Sequence, residues 1–271
     1  MLIAVFCDRG SPGATTTALA LGLASPEPTV VVEADPYGGD LALRCTDPRG
    51  KAFPETPTVL TVATAARTSL APDLVISYAH EFTGSTRLVP GHLSAEQSAG
   101  ITDWAPLARA LKASVSRMVV DLGRIHSGSP TLPIAAAADV LVVVTRADMG
   151  AVVHLRDRLE RLVPTLVAER GTPPVIVPVV VTHRRIAGPV VGQLRSLLAA
   201  SSVEPVVVDV GWLAWDPEGV SRLEAGHVSG RDARTPLLGS AASVCDQIMT
   251  AAGPGFDSWQ VTTKGSEVPA R

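Results

Sequence analysis

The sequence predicts an α/β fold in which a doubly wound, mostly parallel sheet is flanked by helices on both faces. The first observation is that short apolar runs alternate along the chain with longer helical patterns. The second is that several runs, such as TVVVE at 29–33 and VLVVVT at 140–145, are continuous and β-branched, which is typical of strands buried on both faces. The third is that 46% of the 271 residues are apolar, enough for a sizeable core.

The first elements follow directly from these patterns. Leu2–Cys7 is an unbroken apolar run and predicts a strand. Thr15–Ala24 carries small apolar residues at helical density, and Thr29–Glu33 predicts the second strand. Short β-branched runs predict two further strands, at Val59–Val62 and Thr86–Val89.

The same alternation continues to residue 251. Apolar residues at three- and four-residue spacing predict a helix over Ala95–Ala113, and RMVVD predicts a strand over Arg117–Asp121. After the strand Val140–Thr145, apolar and arginine residues on opposite faces predict a helix over Gly150–Glu169. The remaining predicted elements are the strands Pro174–Val181 and Val206–Val210 and the helices Gly188–Ala200, Pro217–Ala225 and Pro236–Ala251.

We find no internal repeat or linker, so we predict one domain over residues 1–251 and a mobile tail over 252–271. The formal net charge of −3 excludes a globally basic nucleic-acid binder. Three distant cysteines without C-x-x-C spacing exclude a zinc ribbon and indicate a reduced compartment. No apolar run approaches the roughly 18 residues of a membrane-spanning helix, so we expect a soluble, cytoplasmic protein.

The loop after the first strand carries the clearest chemical signal. Gly10 and Gly13 permit positive φ angles and close approach of a ligand to the backbone. Thr15, Thr16 and Thr17 stand at the start of the following helix, where unpaired N–H groups and the helix dipole favour an anion. The alternative is an ordinary Gly-Pro turn with a threonine cap.

The segment Asp8–Thr17 resembles the deviant P-loop K-G-G-x-G-K-T-T of the ParA/MinD family of P-loop NTPases, within the SIMIBI class. In this alignment Arg9 replaces the signature lysine, Ala14 replaces the P-loop lysine, and Thr15 matches the magnesium-binding hydroxyl. The chain therefore resembles a degenerate member, similar to the atypical TadZ/CpaE-like proteins of pilus and secretion loci. The resemblance implies binding of ATP or ADP with Mg²⁺ by Arg9, Gly10, Ser11, Pro12, Gly13, Ala14, Thr15 and Thr16.

Further landmarks of the family follow in the same order along the chain. Glu33 and Asp35 match its strand-two acids, which implies a metal role for Glu33 and a catalytic role for Asp35 near the attacking water. Asp121 matches the Walker B carboxylate, which implies a contact with the metal through water. Thr182 and Pro217 match the base-binding region, although the chain has no Asn to read an adenine.

The resemblance implies a nucleotide-responsive positioning or assembly factor that acts through homodimerisation and docking of an unidentified protein partner. Because Ala14 cannot clamp phosphate, we expect weak or absent ATP hydrolysis. The alternatives are a slow but genuine Mg-ATPase, with Arg9 supplying charge, and a nucleotide-free scaffold. Arg146 and Asp148 could line the pocket, while DNA binding through Arg184 and Arg185 is possible but not favoured. The tail lacks a basic amphipathic helix, so we do not expect membrane insertion.

Overall fold

The computed structural model describes residues 1–226 and 234–253, and an eight-stranded sheet forms the centre of this part of the chain. The strands are β1 (Leu2–Cys7), β2 (Thr29–Glu33), β3 (His80–Thr83), β4 (Thr86–Val89), β5 (Arg117–Arg124), β6 (Val140–Arg146), β7 (Ile176–Thr182) and β8 (Gly211–Ala214). Their order in the sheet is β3-β4-β2-β5-β1-β6-β7-β8. All neighbours pair in parallel except β3, which runs antiparallel to β4. The predicted fold class is therefore confirmed.

Helices cover both faces of this sheet. They are α1 (Ala14–Ala24), α2 (Leu41–Arg44), α3 (Val59–Ala65), α4 (Leu74–Ser77), α5 (Ala95–Ser98), α6 (Ala105–Ala113), α7 (Leu132–Ala137), α8 (Met149–Arg170), α9 (Arg184–Ala199), α10 (Pro217–Glu224) and α11 (Pro236–Ala252). The short elements α2, α4, α7 and β3 have no counterpart among the sequence predictions.

Two hydrophobic clusters fill the space between the sheet and its helices. Successive side chains of β1 point to opposite faces, so Ala4 and Phe6 belong to one cluster and Ile3 and Val5 to the other. The first cluster includes residues of α3, α6, α7, α8 and α9, and the second includes residues of α1 and α11. This arrangement buries β1 on both faces, as its continuous apolar run indicates.

The strand order brings the chemically interesting loops to one edge of the sheet. β1 lies between β5 and β6, and Glu33 at the end of β2 pairs in register with Asp121 on β5. Since these strands are parallel, the segments that follow β1, β2, β5 and β6 all leave from the same edge. Ligand sites of open α/β sheets lie at this edge.

The strand predicted at Val59–Val62 is wrong, because this segment is the helix α3. Its β-branched residues indicate a strand, yet Val59, Val62 and Ala63 follow helical spacing and are the buried ones. Thr58 caps the helix together with Thr61 in a reciprocal capping box.

The continuous helix predicted over Ala95–Ala113 is also wrong. The structure has α5 at the start of this range and α6 at its end, with a loop between them. Pro106 occupies the first turn of α6, where its missing N–H and fixed φ are tolerated. In the middle of one long helix, the same proline would remove a hydrogen bond and clash with the preceding turn.

The strand predicted at Val206–Val210 is displaced. Glu204–Val206 forms a short 3₁₀ helix, and the strand β8 begins only at Gly211. The side chain of Asp209 accepts a hydrogen bond from the N–H of Val210 at 2.7 Å. This local bond takes a donor that a strand would use to pair with its neighbour.

The three cysteines, Cys7, Cys45 and Cys245, are buried and free. Burial raises the pKa of the Cys7 and Cys45 thiols to about 12 and that of Cys245 to about 11. The thiols therefore stay protonated at neutral pH, in the form that neither binds metals nor attacks electrophiles.

The C-terminal helix α11 ends at Ala252. Most of the tail predicted over 252–271 lies outside the described residues, so its mobility stays a prediction. Within the described chain, none of the helices combines the length and the apolar character needed to cross a bilayer.

Candidate functional site

The loop between β1 and α1 has the backbone conformation that its glycines indicate. Gly10 and Gly13 adopt φ angles of 70° and 98°, which other residues rarely reach. No atom lies within 4 Å of the position that a Cβ would occupy on Gly10, so the loop is open there. Gly13 is the N-cap of α1 and has no side chain with which to cap it. The loop and the helix start can therefore direct N–H groups toward an anion.

Thr15 and Asp121 form the polar centre of the site. The Thr15 hydroxyl donates to Oδ2 of Asp121 at 2.5 Å, and the N–H of Gly123 donates to Oδ1 at 2.9 Å. Asp121 is fully buried, and this burial raises the pKa of its carboxyl to about 6 although both hydrogen bonds lower it. A hydroxyl and a carboxylate side by side are the hard oxygen donors that Mg²⁺ prefers.

Glu33 lies beside Asp121 on the neighbouring strand. Its carboxylate is buried and accepts hydrogen bonds from backbone N–H groups. Oε1 accepts from the N–H groups of Asp40 and Leu41 at 3.0 and 3.2 Å, and Oε2 accepts from Gly91 at 2.9 Å. Burial raises the pKa of Glu33 to about 7. The carboxylate thereby joins the loop after β2 to the loop after β4. Its role as a metal ligand stays a prediction.

Asp35 reaches the same site from the loop after β2. Its Oδ1 accepts from the N–H of Tyr37 at 2.9 Å, and its carboxylate lies so close to Gly123 that a Cβ on that glycine would overlap it. Burial raises the pKa of Asp35, while the hydrogen bond from Tyr37 and the electrostatic interactions with His92 and Arg124 lower it. The structure thus places Asp35 next to the end of β5, and its catalytic role is untested.

His92 is a candidate functional residue that the sequence patterns did not indicate. It follows β4, is only 3% exposed, and neither ring nitrogen has a hydrogen-bond partner among the described residues. A buried imidazole without partners is unusual, since buried polar groups are nearly always paired. The electrostatic influence of His92 on Asp35 places it near the acidic side of the site. Its position after a strand of the sheet is the one signal in the sequence that could have indicated it.

Ala14, which the sequence alignment places at the position of the family's P-loop lysine, carries no charge. Ala14 is 7% exposed, at the first residue of α1. The side chain of Arg9 is 62% exposed and lies 3.4 Å from the carboxylate of Asp8, which also accepts from Arg158 at 2.5 Å. Arg9 therefore points into solvent and toward an acid rather than into the loop.

Two other arginines contact the loop backbone. Arg124, at the end of β5, donates from Nε to the carbonyl of Gly10 at 3.2 Å. Arg146, at the end of β6, donates to the carbonyl of Ser11 at 2.9 Å. Both side chains are exposed, and they come from the two strands that flank β1.

A cavity of about 310 Å³ adjoins the loop on the side of α10 and α11. Its lining consists of Ser11, Pro12, Gly13, Thr16, Thr17, Arg146, Val181, Leu213, Ala214, Trp215, Asp216, Pro217, Val220 and Leu237. The carboxylate of Asp216 accepts from the N–H of Gly219 at 2.9 Å and from that of Leu237 at 3.3 Å, within the protein. Because Asp216 is engaged in this way and most other lining residues away from the loop are apolar, this part of the cavity suits a flat base or ring.

Pro217 and Thr182 occupy different positions relative to this cavity. Pro217 contributes to the lining, whereas Thr182 is not among the lining residues of the described chain. Thr182 is buried behind the cavity wall, where its carbonyl accepts from the N–H of Trp215 at 2.8 Å. Trp215 is 52% exposed at the rim, and its ring meets the His183 ring edge-on at a centroid distance of 6.5 Å.

Arg44 connects the loop after β2 to the helix α1. Its guanidinium contacts the Thr16 hydroxyl at 3.4 Å, pairs with Asp40 at 3.1 Å and forms a close ion pair with Glu224 of α10. α2, α1 and α10 are thereby linked at the edge of the cavity.

The arrangement fits a phosphate group together with Mg²⁺. The N–H groups of the loop suit a phosphate, and the oxygens of Thr15 and Asp121 suit the metal. No group of three or more His, Cys, Asp or Glu in residues 1–226 and 234–253 could hold a metal ion by itself. A divalent cation beside Thr15 would need phosphate oxygens and water to complete its shell. The open glycine loop and the adjoining cavity supply the space for such a group.

Three arginines of α9 bear on the DNA-binding alternative. Arg184 and Arg185 are exposed at the start of α9, whereas Arg195 pairs with Asp209 at 2.9 Å.

The chain was compared with known proteins. No protein-family model and no curated protein matches the sequence. Solved structures do match over most of their length. A ParA family ATPase from Chlorobium tepidum TLS aligns with a TM-score of 0.67 at 14% identity, covering 90% of this chain and 98% of that one.

Two further structures align in the same way. A chain of the MinC:MinD cell division protein complex from Aquifex aeolicus gives a TM-score of 0.62 at 14% identity, covering 92% of this chain and 96% of that one. MinD with Mg-ADP from Pyrococcus horikoshii OT3 gives 0.61 at 13% identity, covering 93% and 97%. The chain has the ParA/MinD fold. Within the ParA/MinD fold, the loop after β1, the end of β5 and the cavity beside α10 provide the candidate site described above.

Proposed function

We propose that this chain binds ATP or ADP with Mg²⁺ at the loop Arg9–Thr16 and in the adjoining cavity. The observation that carries the proposal is the combination of the open glycine loop with the Thr15–Asp121 pair and a cavity of about 310 Å³ on the same edge of the sheet. The MinD structure with Mg-ADP has the same fold and supports this choice of ligand.

We further propose that the protein acts as a positioning or assembly factor through homodimerisation and docking of a protein partner. The ParA and MinD structures with this fold support the class, and one of them is a complex with MinC. Hydrolysis is expected to be impaired, because Ala14 has no charge to stabilise a transferring phosphoryl group. The position of Asp35 beside Gly123 favours the second candidate, a slow but genuine ATPase.

The first test is titration of the purified protein with ADP and with ATP, each with and without Mg²⁺. The fluorescence of Trp215 is expected to change on binding, because this side chain lies at the cavity rim and is half-exposed. A Trp215→Phe variant assigns the signal, and calorimetry measures the affinity independently. Light-scattering mass with ATP then reports whether the monomer becomes a dimer, and phosphate release separates a slow ATPase from an inactive one.

The variant Thr15→Ala is expected to remove most of the Mg²⁺ dependence of nucleotide affinity, because the hydroxyl beside Asp121 is lost. The matched control is Thr165→Ala, a partly exposed threonine in α8 whose hydroxyl contacts only its own helix at 3.5 Å among the described residues. No binding of either nucleotide at millimolar concentration would contradict the proposal and favour the nucleotide-free scaffold. Equal Mg²⁺ dependence in parent and Thr15→Ala would remove the metal role of Thr15.

A further inference from the structure

We propose that Arg146 supplies, from the end of β6, the positive charge for phosphate that the loop lacks at Ala14. The inference rests on the proposed function, since it concerns how the same site holds the phosphates of a nucleoside diphosphate. In this arrangement the cation does not come from position 14 of the loop. It comes from Arg146 at the end of β6, 132 positions further along the chain.

The position of Arg146 is fixed by the sheet. Val144 pairs in register with Cys7, so Arg146 leaves β6 at the level where the chain turns into the phosphate loop. One of its terminal nitrogens donates to the carbonyl of Ser11 at 2.9 Å. This bond holds the guanidinium against the loop, and the side chain contributes to the lining of the cavity together with residues 11–13.

The guanidinium of Arg146 keeps donors for a ligand. An arginine has five N–H donors, and the described structure shows a bond from one of its nitrogens to one carbonyl. No carboxylate of the described residues forms an ion pair with it. Its charge is therefore not neutralised by the protein, and arginine is well suited to bind phosphate through two N–H groups at once.

The other arginines near the loop are less suited to this role. Arg9 and Arg158 are both directed at the carboxylate of Asp8. Arg44 is held by two acids, one of them Glu224 in a close ion pair. Arg124 donates to the opposite side of the loop and is not among the residues that line the cavity in the described chain. Arg146 combines a loop contact, a place in the lining and a charge without an acidic partner.

This arrangement has a consequence for the chemistry. A lysine at position 14 would project from α1, inside the loop, whereas Arg146 is tied to a loop carbonyl from outside. A guanidinium held in this way is suited to bind a diphosphate through its remaining N–H groups, which is the role we propose for it.

The test measures the affinity for ADP and for adenosine by calorimetry in the parent and in Arg146→Ala. The variant is expected to lose about 10- to 100-fold in affinity for ADP, the range for one charge-assisted contact, with little change for adenosine. Arg146→Lys is expected to fall between the two. Arg170→Ala serves as the matched control. Arg170 also donates to a backbone carbonyl, that of Ala138 at 3.3 Å. It lies at the C-terminal end of α8 and is not among the described residues that line the cavity.

A rescue experiment separates a direct role of the charge from a structural one. Adding Ala14→Lys to Arg146→Ala is expected to recover most of the lost ADP affinity, because a lysine from α1 then supplies the charge. Unfolding temperatures of all variants check that each one folds.

The inference is overturned if Arg146→Ala binds ADP as tightly as the parent, or if it loses ADP and adenosine equally. It is also overturned if Arg124→Ala, and not Arg146→Ala, causes the loss. A parent that binds ADP with an affinity independent of Arg146 leaves the proposed function standing, whereas a parent that binds no ADP removes both.

Discussion

The variant Gly39→Ala is expected to unfold about 3 kcal/mol more easily than the parent, because displaced polar groups cost about 1–3 kcal/mol each. A Cβ at this position would overlap the carboxyl group of Glu33. That carboxylate is buried and accepts from the N–H groups of Asp40, Leu41 and Gly91, so it cannot move without breaking these bonds. Denaturant unfolding at pH 7 measures the loss.

The matched control is Gly239→Ala in α11, where an added Cβ would meet no atom within 4 Å. This change is expected to leave the stability unchanged or to raise it by up to about 1 kcal/mol, since alanine favours a helix more than glycine does. A Gly39→Ala variant as stable as the parent would show that the carboxylate of Glu33 is free to move.

The variant Asp121→Asn is expected to be more stable than the ligand-free parent at pH 8, by about 3 kcal/mol, and similar to it at pH 4. Burial raises the pKa of Asp121 from 3.8 to about 6. A raised pKa in the folded state gives stability that is present below the unfolded value and is lost as the pH rises through 6. A shift of about two units corresponds to about 3 kcal/mol. Asparagine fits the same space and does not ionise.

Unfolding free energies of both proteins from pH 4 to pH 8 test this prediction, since the difference between them cancels the titration of other groups. Asp47→Asn provides a control of opposite sign. Hydrogen bonds from the backbone of Lys51 and Arg49 lower the pKa of Asp47. Its contribution to stability is therefore present above the unfolded pKa and is lost as the pH falls. A stability difference for Asp121→Asn that does not change between pH 4 and pH 8 would contradict the raised pKa of Asp121.

Sequence patterns were sufficient to predict those elements whose conformation depends on a single physical requirement. The buried strands β1, β2, β5 and β6 need continuous apolar runs, and these are visible in the sequence. The glycine loop is likewise visible, because Gly10 and Gly13 adopt positive φ angles. Predictions failed where local preference and tertiary packing disagree. The β-branched residues of α3 favour a strand locally, but a capping box and one buried face make the segment a helix.

The candidate site was predictable only in its local part. The order of the loop residues, Thr15 and Asp121 could be read from motifs, and Arg146 was expected to line the pocket. The bonds that Arg124 and Arg146 form with the loop are long-range contacts that no motif indicates. Arg124 and Arg146 reach Gly10 and Ser11 across 114 and 135 positions. His92 has no motif, and its significance comes from burial without a partner. Such contacts depend on the strand order, which spacing along the chain does not specify.

The protonated, buried thiols described above make the protein suitable for site-specific labelling. A maleimide reacts with the thiolate, and Cys7, Cys45 and Cys245 offer almost none at neutral pH. A cysteine introduced at an exposed position, such as Leu43 in α2, would therefore carry the label alone, without removal of the native three. A fluorophore or spin label at that point would report directly on movements of the segment after β2 when a nucleotide is added.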